Sequence, residues 1–225
     1  MVVIPARNEA LSIGALIERL SRKGFPVIVV DDYSSDQTAG RARDAGAKVL
    51  QLPFHAGAWF AMQTGIRAAC QDGFERVITM DADGQHDPDC IEVLLNVLND
   101  AGSINNVVIG SCVERGNRRR QLAWQALRWL SGLNMADMTS GFRAYDRQAM
   151  AVVSDPSCTL IEYQDVGILL RLVQSGLAIR EVEVSMKSRE HGQSRIFKSW
   201  LTVSYYLVYS FLLSISKRRY VPDRQ

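Results

Sequence analysis

The first 110 residues alternate short β-branched runs with longer stretches that carry apolar residues at helical spacing, predicting a mostly parallel sheet covered by helices. Strands are expected at Val2 to Ile4, Pro26 to Val30, Lys48 to Leu52, Arg76 to Met80 and Asn106 to Ile109. Helices fit between them. Ala10 to Ser21 sets Leu11, Leu16, Ile17 and Leu20 at roughly helical spacing, with Gly24 marking the end of the segment. Gln37 to Ala45 follows Ser34-Ser35-Asp36, any of which suits a cap, and stops at Gly46. Ala58 to Cys70 and Pro88 to Leu98 complete the set.

Beyond Gly110 the pattern changes to a basic, Trp-bearing helix near Gln121 to Leu130, a loop at Asp137 to Gly141 and a helix near Val166 to Gln174. A strand at Ala178 to Met186 and a loop containing Arg189-Glu190-His191-Gly192 follow. No internal repeat or low-complexity linker divides the chain, so residues 1–198 read as one domain and 199–225 as an apolar helix with a basic tail.

Ser199 to Ser216 contains no charged residue, but it is short and hydroxyl-rich for a membrane span, which needs about 20 mostly apolar residues. Trp200 at one end and Lys217-Arg218-Arg219 at the other suit a helix lying in or dipping into the bilayer interface. The other reading packs this helix on the domain or on a sister subunit, making a homo-oligomer through the tail; Thr202, Tyr206, Ser210 and Ser214 would form its polar stripe. The formal charge of +2 provides no bulk field toward nucleic acid, and the Arg115 to Arg120 cluster lacks a recognisable binding module. Four scattered cysteines read as reduced thiols, not as a zinc site or disulfide framework. With no signal-peptide pattern before Val2, the expected location is the cytoplasmic face of a membrane, peripheral or tail-anchored, with a simply cytoplasmic protein as the alternative.

Chemistry concentrates where strands end. Val77-Ile78-Thr79-Met80 delivers Asp81-Ala82-Asp83-Gly84-Gln85-His86 to a strand's carboxyl end, where ligands of open α/β sheets bind. Two carboxylates one residue apart offer hard oxygen ligands for Mg²⁺ or Mn²⁺, which could hold a diphosphate. The plainer reading makes Asp83-Gly84 a turn and Asp87 the N-cap of a helix starting at Pro88. The first strand exits in Pro5-Ala6-Arg7-Asn8-Glu9 and the second in Asp31-Asp32-Tyr33-Ser34-Ser35-Asp36, putting further carboxylates and amides at the same edge.

These three stretches, in this order, resemble family 2 glycosyltransferases of the GT-A fold, in the subgroup of dolichyl- and polyprenyl-phosphate sugar synthases. The resemblance continues through His55-Ala56-Gly57, Thr139 to Tyr145, Glu181 to Val184 and Arg189 to Ser194. It implies a nucleotide-sugar donor pocket lined by Pro5, Ala6, Arg7, Asn8, Glu9 and Asp32. It also implies a divalent cation (Mg or Mn) on Asp81 and Asp83, with Ala82 and Gln85 beside the diphosphate. Arg143 and Arg189 would lie over donor or acceptor phosphates, although a lone Arg can equally be a surface ion pair. The implied reaction is inverting attack on the donor's anomeric carbon by a polyprenyl phosphate at the membrane surface, with Asp83, Arg143 and Arg189 in the catalytic set.

A phosphate acceptor is already ionised and requires no strong general base; a saccharide hydroxyl would, and Glu162 and Asp165 are the candidates, or else helix-start acids. Three departures from the family pattern stand out, the first being Ala6 where an aromatic residue is often found, which implies weaker stacking against the base. Cys112 follows Gly110-Ser111 where an Arg is common, and His55 stands where an Asn is usual. The alternatives are therefore transfer to a saccharide hydroxyl in envelope polysaccharide synthesis, or a catalytically impaired nucleotide-binding scaffold.

Overall fold

Val2, Val3 and Ile4 have no solvent exposure, so the first strand, β1 (Val2–Ala6), is apolar on both faces, as a central parallel strand must be. It pairs in parallel with β2 (Val27–Asp31) on one side and β4 (Val77–Thr79) on the other. β3 (Lys48–Gln51) extends the sheet beyond β2 as a polar edge strand, its two end residues exposed. β5 (Val107–Ser111), β6 (Arg143–Tyr145) and β7 (Ile179–Glu183) complete it, in the order β3-β2-β1-β4-β6-β5-β7 among the described residues. The computed structural model describes residues 1–112, 133, 135–159 and 166–186.

Helices cover both faces. α1 (Ile13–Arg22) and α4 (Ile91–Leu98) pack with Val2, Ile4, Val27 and Val29 on one side. α3 (Ala58–Gln71), α5 (Arg147–Ser154) and α6 (Val166–Gln174) pack with Val3, Ile28 and Val30 on the other. α2 (Thr38–Asp44) lies beside α1.

Most predicted elements lie where the patterning puts them, with ends displaced by one to three residues. Leu11 departs from its expected helical face: α1 begins at Ile13, and Leu11 sits in the preceding turn, 73% exposed. The Pro88 segment opens as a 3-10 turn, and Asp87 caps it as expected, accepting the Asp89 amide at 3.1 Å. The patterning misses β6 and α5. β6 is three residues long, begins with a charge and is buried on both faces, so no period of two can register. α5 follows immediately, capped by Asp146, whose carboxylate accepts the Ala149 amide at 2.8 Å. The predicted helix near Gln121 to Leu130, the Arg115 to Arg120 cluster and the 199–225 tail lie outside the described residues.

β6 is antiparallel to both neighbours, with Ala144 opposite Ile78 and Val108. It therefore starts at the edge where the parallel strands end, and the loop before it, residues 135–142, joins that edge.

α3 approaches the sheet at Gly65, where a Cβ would stand 2.3 Å from Val3 Cγ1 and 3.0 Å from Val30 Cγ2. Gly65→Ala should destabilise the protein by about 1–3 kcal/mol through overpacking, read as a lower denaturant midpoint at unchanged slope.

Candidate active site

The parallel register of β1 with β2 pairs Ala6 with Asp31, so both strands discharge their polar residues at one place. The ladder runs on past the strands: the Asp32 amide donates to the Ala6 carbonyl at 2.8 Å. Asn8 then ties the two exits together. Its amide donates to Ser34 Oγ at 2.9 Å, and its side-chain oxygen accepts the Ser35 amide at 2.8 Å. Glu9 donates its amide to Thr38 Oγ1 at 2.8 Å, and the Ala10 amide reaches Asp36 Oδ2 at 3.2 Å. Each exit holds a residue in the left-handed region, Asn8 at φ 55° and Tyr33 at φ 58°. Asn tolerates that conformation; Tyr33, 59% exposed, does so at a cost of about 1–2 kcal/mol.

Asp32 is buried and already engaged. Oδ1 accepts the Ala56 amide at 2.7 Å, while Oδ2 accepts the Gly57 amide at 3.1 Å and lies 2.7 Å from His55 Nδ1. The carboxylate thus anchors the loop that enters α3. Of the other residues expected around the nucleotide, Pro5, Arg7 and Glu9 are half-buried and Asn8 exposed, whereas Ala6 and Ala82 are buried and present only backbone.

Asp81 and Asp83 follow β4 at the same edge. Asp83 Oδ1 accepts the Gln85 amide at 3.1 Å, closing a turn through Gly84 at φ 74°, while Gln85 itself is buried. The turn reading and the ligand reading are therefore compatible, because one oxygen closes the turn. The Asp81 side chain is 40% exposed. It rests against Gly141, where a Cβ would come within 2.7 Å of Oδ1. Patterning does not single out His86 as a site residue: the Asp81 amide donates to its Nδ1 at 3.2 Å, and its ring stacks on Phe142 with centroids 5.1 Å apart. The histidine thus fixes the backbone that carries Asp81. Its place in the motif is legible; its burial depends on Phe142, 56 residues away.

Arg143 does not lie open above the edge. It is fully buried, its Nε donating to the Ser140 carbonyl at 2.8 Å and Nη2 to the Met138 carbonyl at 2.9 Å. A β6 side chain facing the loop that precedes it finds carbonyls there, so Arg143 shapes the 138–141 turn against Asp81. Glu181 on β7 accepts the Ala136 and Asp137 amides at 2.7 and 2.8 Å and holds the same loop from the far side. Arg189, Glu162 and Asp165 lie outside the described residues.

No group of three or more His, Cys, Asp or Glu gathers among the described residues, so no all-protein metal cage is present there. The Asp81/Asp83 pair instead fits a Mg²⁺-type cation, which binds through one or two carboxylates and completes its shell with substrate phosphates and water. The missing Cβ at Gly141 leaves room for the Asp81 carboxylate to adopt that position.

The sequence model of glycosyl transferase family 2 matches residues 1–153. An undecaprenyl-phosphate mannosyltransferase of Micrococcus luteus is 29% identical, aligned over 87% of this chain and 86% of its own. A polyprenol monophosphomannose synthase of Mycolicibacterium smegmatis is 28% identical over 87% of this chain and 80% of its own. Among solved structures, glucosyl-3-phosphoglycerate synthase of Mycobacterium tuberculosis, in complex with Mn²⁺, UDP-glucose and phosphoglyceric acid, superposes with a TM-score of 0.72. It is 22% identical and the match covers 99% of this chain and 80% of that one, a likeness of fold.

Two outcomes follow from this geometry. Gly141→Ala should lower Mn²⁺ affinity by about tenfold in a titration while leaving the thermal midpoint nearly unchanged, because the added methyl meets a half-exposed carboxylate. Asp36 supplies a pH signature. Burial alone would raise its pKa, but the Thr38 hydroxyl and the Thr38 and Ala10 amides outweigh burial and hold it below the ordinary value. Its contribution is therefore present above the ordinary carboxylate pKa and lost as pH falls through the lowered one. The stability difference between wild type and Asp36→Asn should be constant at neutral pH and shrink below about pH 4, followed by denaturant unfolding.

Proposed function

This chain belongs to glycosyl transferase family 2 and has the GT-A-type α/β fold, and from that premise we propose that it transfers a sugar from a nucleoside diphosphate donor to a polyprenyl phosphate with inversion. The observation that supports the acceptor class is the likeness, over 87% of this chain, to two enzymes whose names specify polyprenyl-phosphate sugar transfer. The exits of β1, β2 and β4 at one edge support the donor pocket, which we assign to Pro5, Ala6, Arg7, Asn8, Glu9 and Asp32.

In this reading Asp81 and Asp83 would hold a divalent cation, with Gln85 and the Ala82 backbone lining that side. The cation would offset charge developing on the leaving diphosphate. His86 and Gly141 keep the Asp81 carboxylate in place, and Arg143 acts by shaping the 138–141 turn rather than by touching phosphate. Arg189 is assigned to phosphate binding through the resemblance alone. The acceptor phosphate is an anion and its oxygen attacks without losing a proton, so Glu162 and Asp165 have no base role in this reaction. A polyprenyl phosphate presents its headgroup at the bilayer surface. We therefore assign the protein to the cytoplasmic face of a membrane, with residues 199–216 as the contacting segment. Among the described residues no helix is long and apolar enough to cross a membrane.

The test is transfer of labelled sugar from UDP- and GDP-sugars to undecaprenyl phosphate with Mn²⁺ or Mg²⁺, products resolved by mass spectrometry. Asp83→Ala should reduce turnover by about 10²-fold or more, and chelation should do the same. Undecaprenol lacking the phosphate should not be glycosylated. Undiminished transfer to a saccharide hydroxyl, with none to the lipid phosphate, would replace the acceptor class.

A further inference from the structure

His55 is the unabsorbed feature of the donor edge. The Asp32 carboxylate accepts the Ala56 and Gly57 amides, and its Oδ2 faces His55 Nδ1 at 2.7 Å. In the neutral imidazole that contact places the proton on Nδ1 and leaves Nε2 as an acceptor. Nδ1 faces a carboxylate that is 4% exposed, whereas the imidazole itself is 45% exposed, so the accessible edge of the ring is the one bearing Nε2. No hydrogen-bond partner for His55 Nε2 occurs among the described residues. Asp32 adjoins Ala6 through the 2.8 Å ladder bond, which sets this ring at the β1–β2 exit.

We propose that His55, locked by Asp32 into its Nδ1–H tautomer, reads the donor's base by accepting a ring N–H at Nε2. This rests on the nucleotide-sugar reading above and extends it to a base class. Uracil and thymine carry that hydrogen on N3 and guanine on N1, whereas cytosine N3 and adenine N1 present lone pairs that would oppose the lone pair of Nε2. A buried or half-buried acceptor facing another acceptor is penalised more than a matched pair is rewarded, so the discrimination is larger than a single hydrogen bond suggests. Asp32 becomes a positioning residue: it sets the tautomer and does not itself touch the base. The resemblance places Asp32 in the donor pocket, and with three contacts already made to the 55–57 loop the carboxylate acts through His55.

The experiment is calorimetric titration of the full chain, with Mn²⁺, against UDP, TDP, GDP, CDP, ADP and inorganic pyrophosphate. Wild type should bind one of UDP, TDP or GDP at least about tenfold more tightly than CDP and ADP. His55→Asn keeps a donor at the Nδ1 position for Asp32 but has nothing at Nε2; it should lose about tenfold of that affinity. Its thermal midpoint and its Mn²⁺–pyrophosphate affinity should stay at wild-type values, a separation that a purely structural role would not give. His55→Phe should show the same loss of base preference if it folds. Equal nucleotide affinity in wild type and His55→Asn, a preference for CDP or ADP, or binding of pyrophosphate but of no nucleotide would each overturn the proposal while leaving the diphosphate site standing. Failure of wild type to bind pyrophosphate and every nucleotide would overturn the nucleotide-sugar reading and this inference with it.

Discussion

The parallel pairing of β1 with both β2 and β4 is the constraint on which the site depends. Parallel strands carry their exits to one edge of the sheet, so residues about 25 and 75 positions apart in sequence emerge near one another. Pro5 to Glu9, Asp32 and the Asp81/Asp83 pair need no long-range attraction to find one another; the ladder brings them there. The strands themselves are held by burial on both faces, which is why their sequences are continuous Val and Ile runs with polarity only at the exits.

Among the described residues one strand runs antiparallel, and it adds what parallel pairing cannot. Because β6 runs the other way, the turn that precedes it arrives at the edge where the parallel strands end, carrying Gly141 to Asp81 and Phe142 to the His86 ring. Fixing that turn takes an arginine from within the strand and a glutamate from β7, both bonded to backbone groups of residues 136–140. Charged side chains here satisfy buried main-chain groups, a use that keeps an irregular loop rigid where regular hydrogen bonding is absent.

Much of this is legible in the chain because apolar runs and acidic exits are local signals. Six strands and most helices announce themselves within windows of a dozen residues, and so do the carboxylates that terminate β2 and β4. The strand that patterning misses is defined by partners distant in sequence: Arg143-Ala144-Tyr145 becomes a strand only by lying between Val77–Thr79 and Val107–Ile109. The partners of charged side chains are hidden for the same reason. Asp32 and Arg143 carry the right charges for ligands, yet whether a charge faces a ligand or a neighbouring backbone group depends on where the 55–57 and 138–141 loops run, which no local pattern encodes.

Asn8 and Tyr33 sit in a backbone region that non-glycine residues enter only when their surroundings compel it. The Asn8–Ser34, Asn8–Ser35 and Glu9–Thr38 bonds supply that compulsion from within the protein. The conformational entropy of these loops has therefore already been surrendered during folding. A nucleotide arriving at this edge meets a rigid wall, and its affinity reflects the hydrogen bonds and packing it forms there rather than order imposed on the protein.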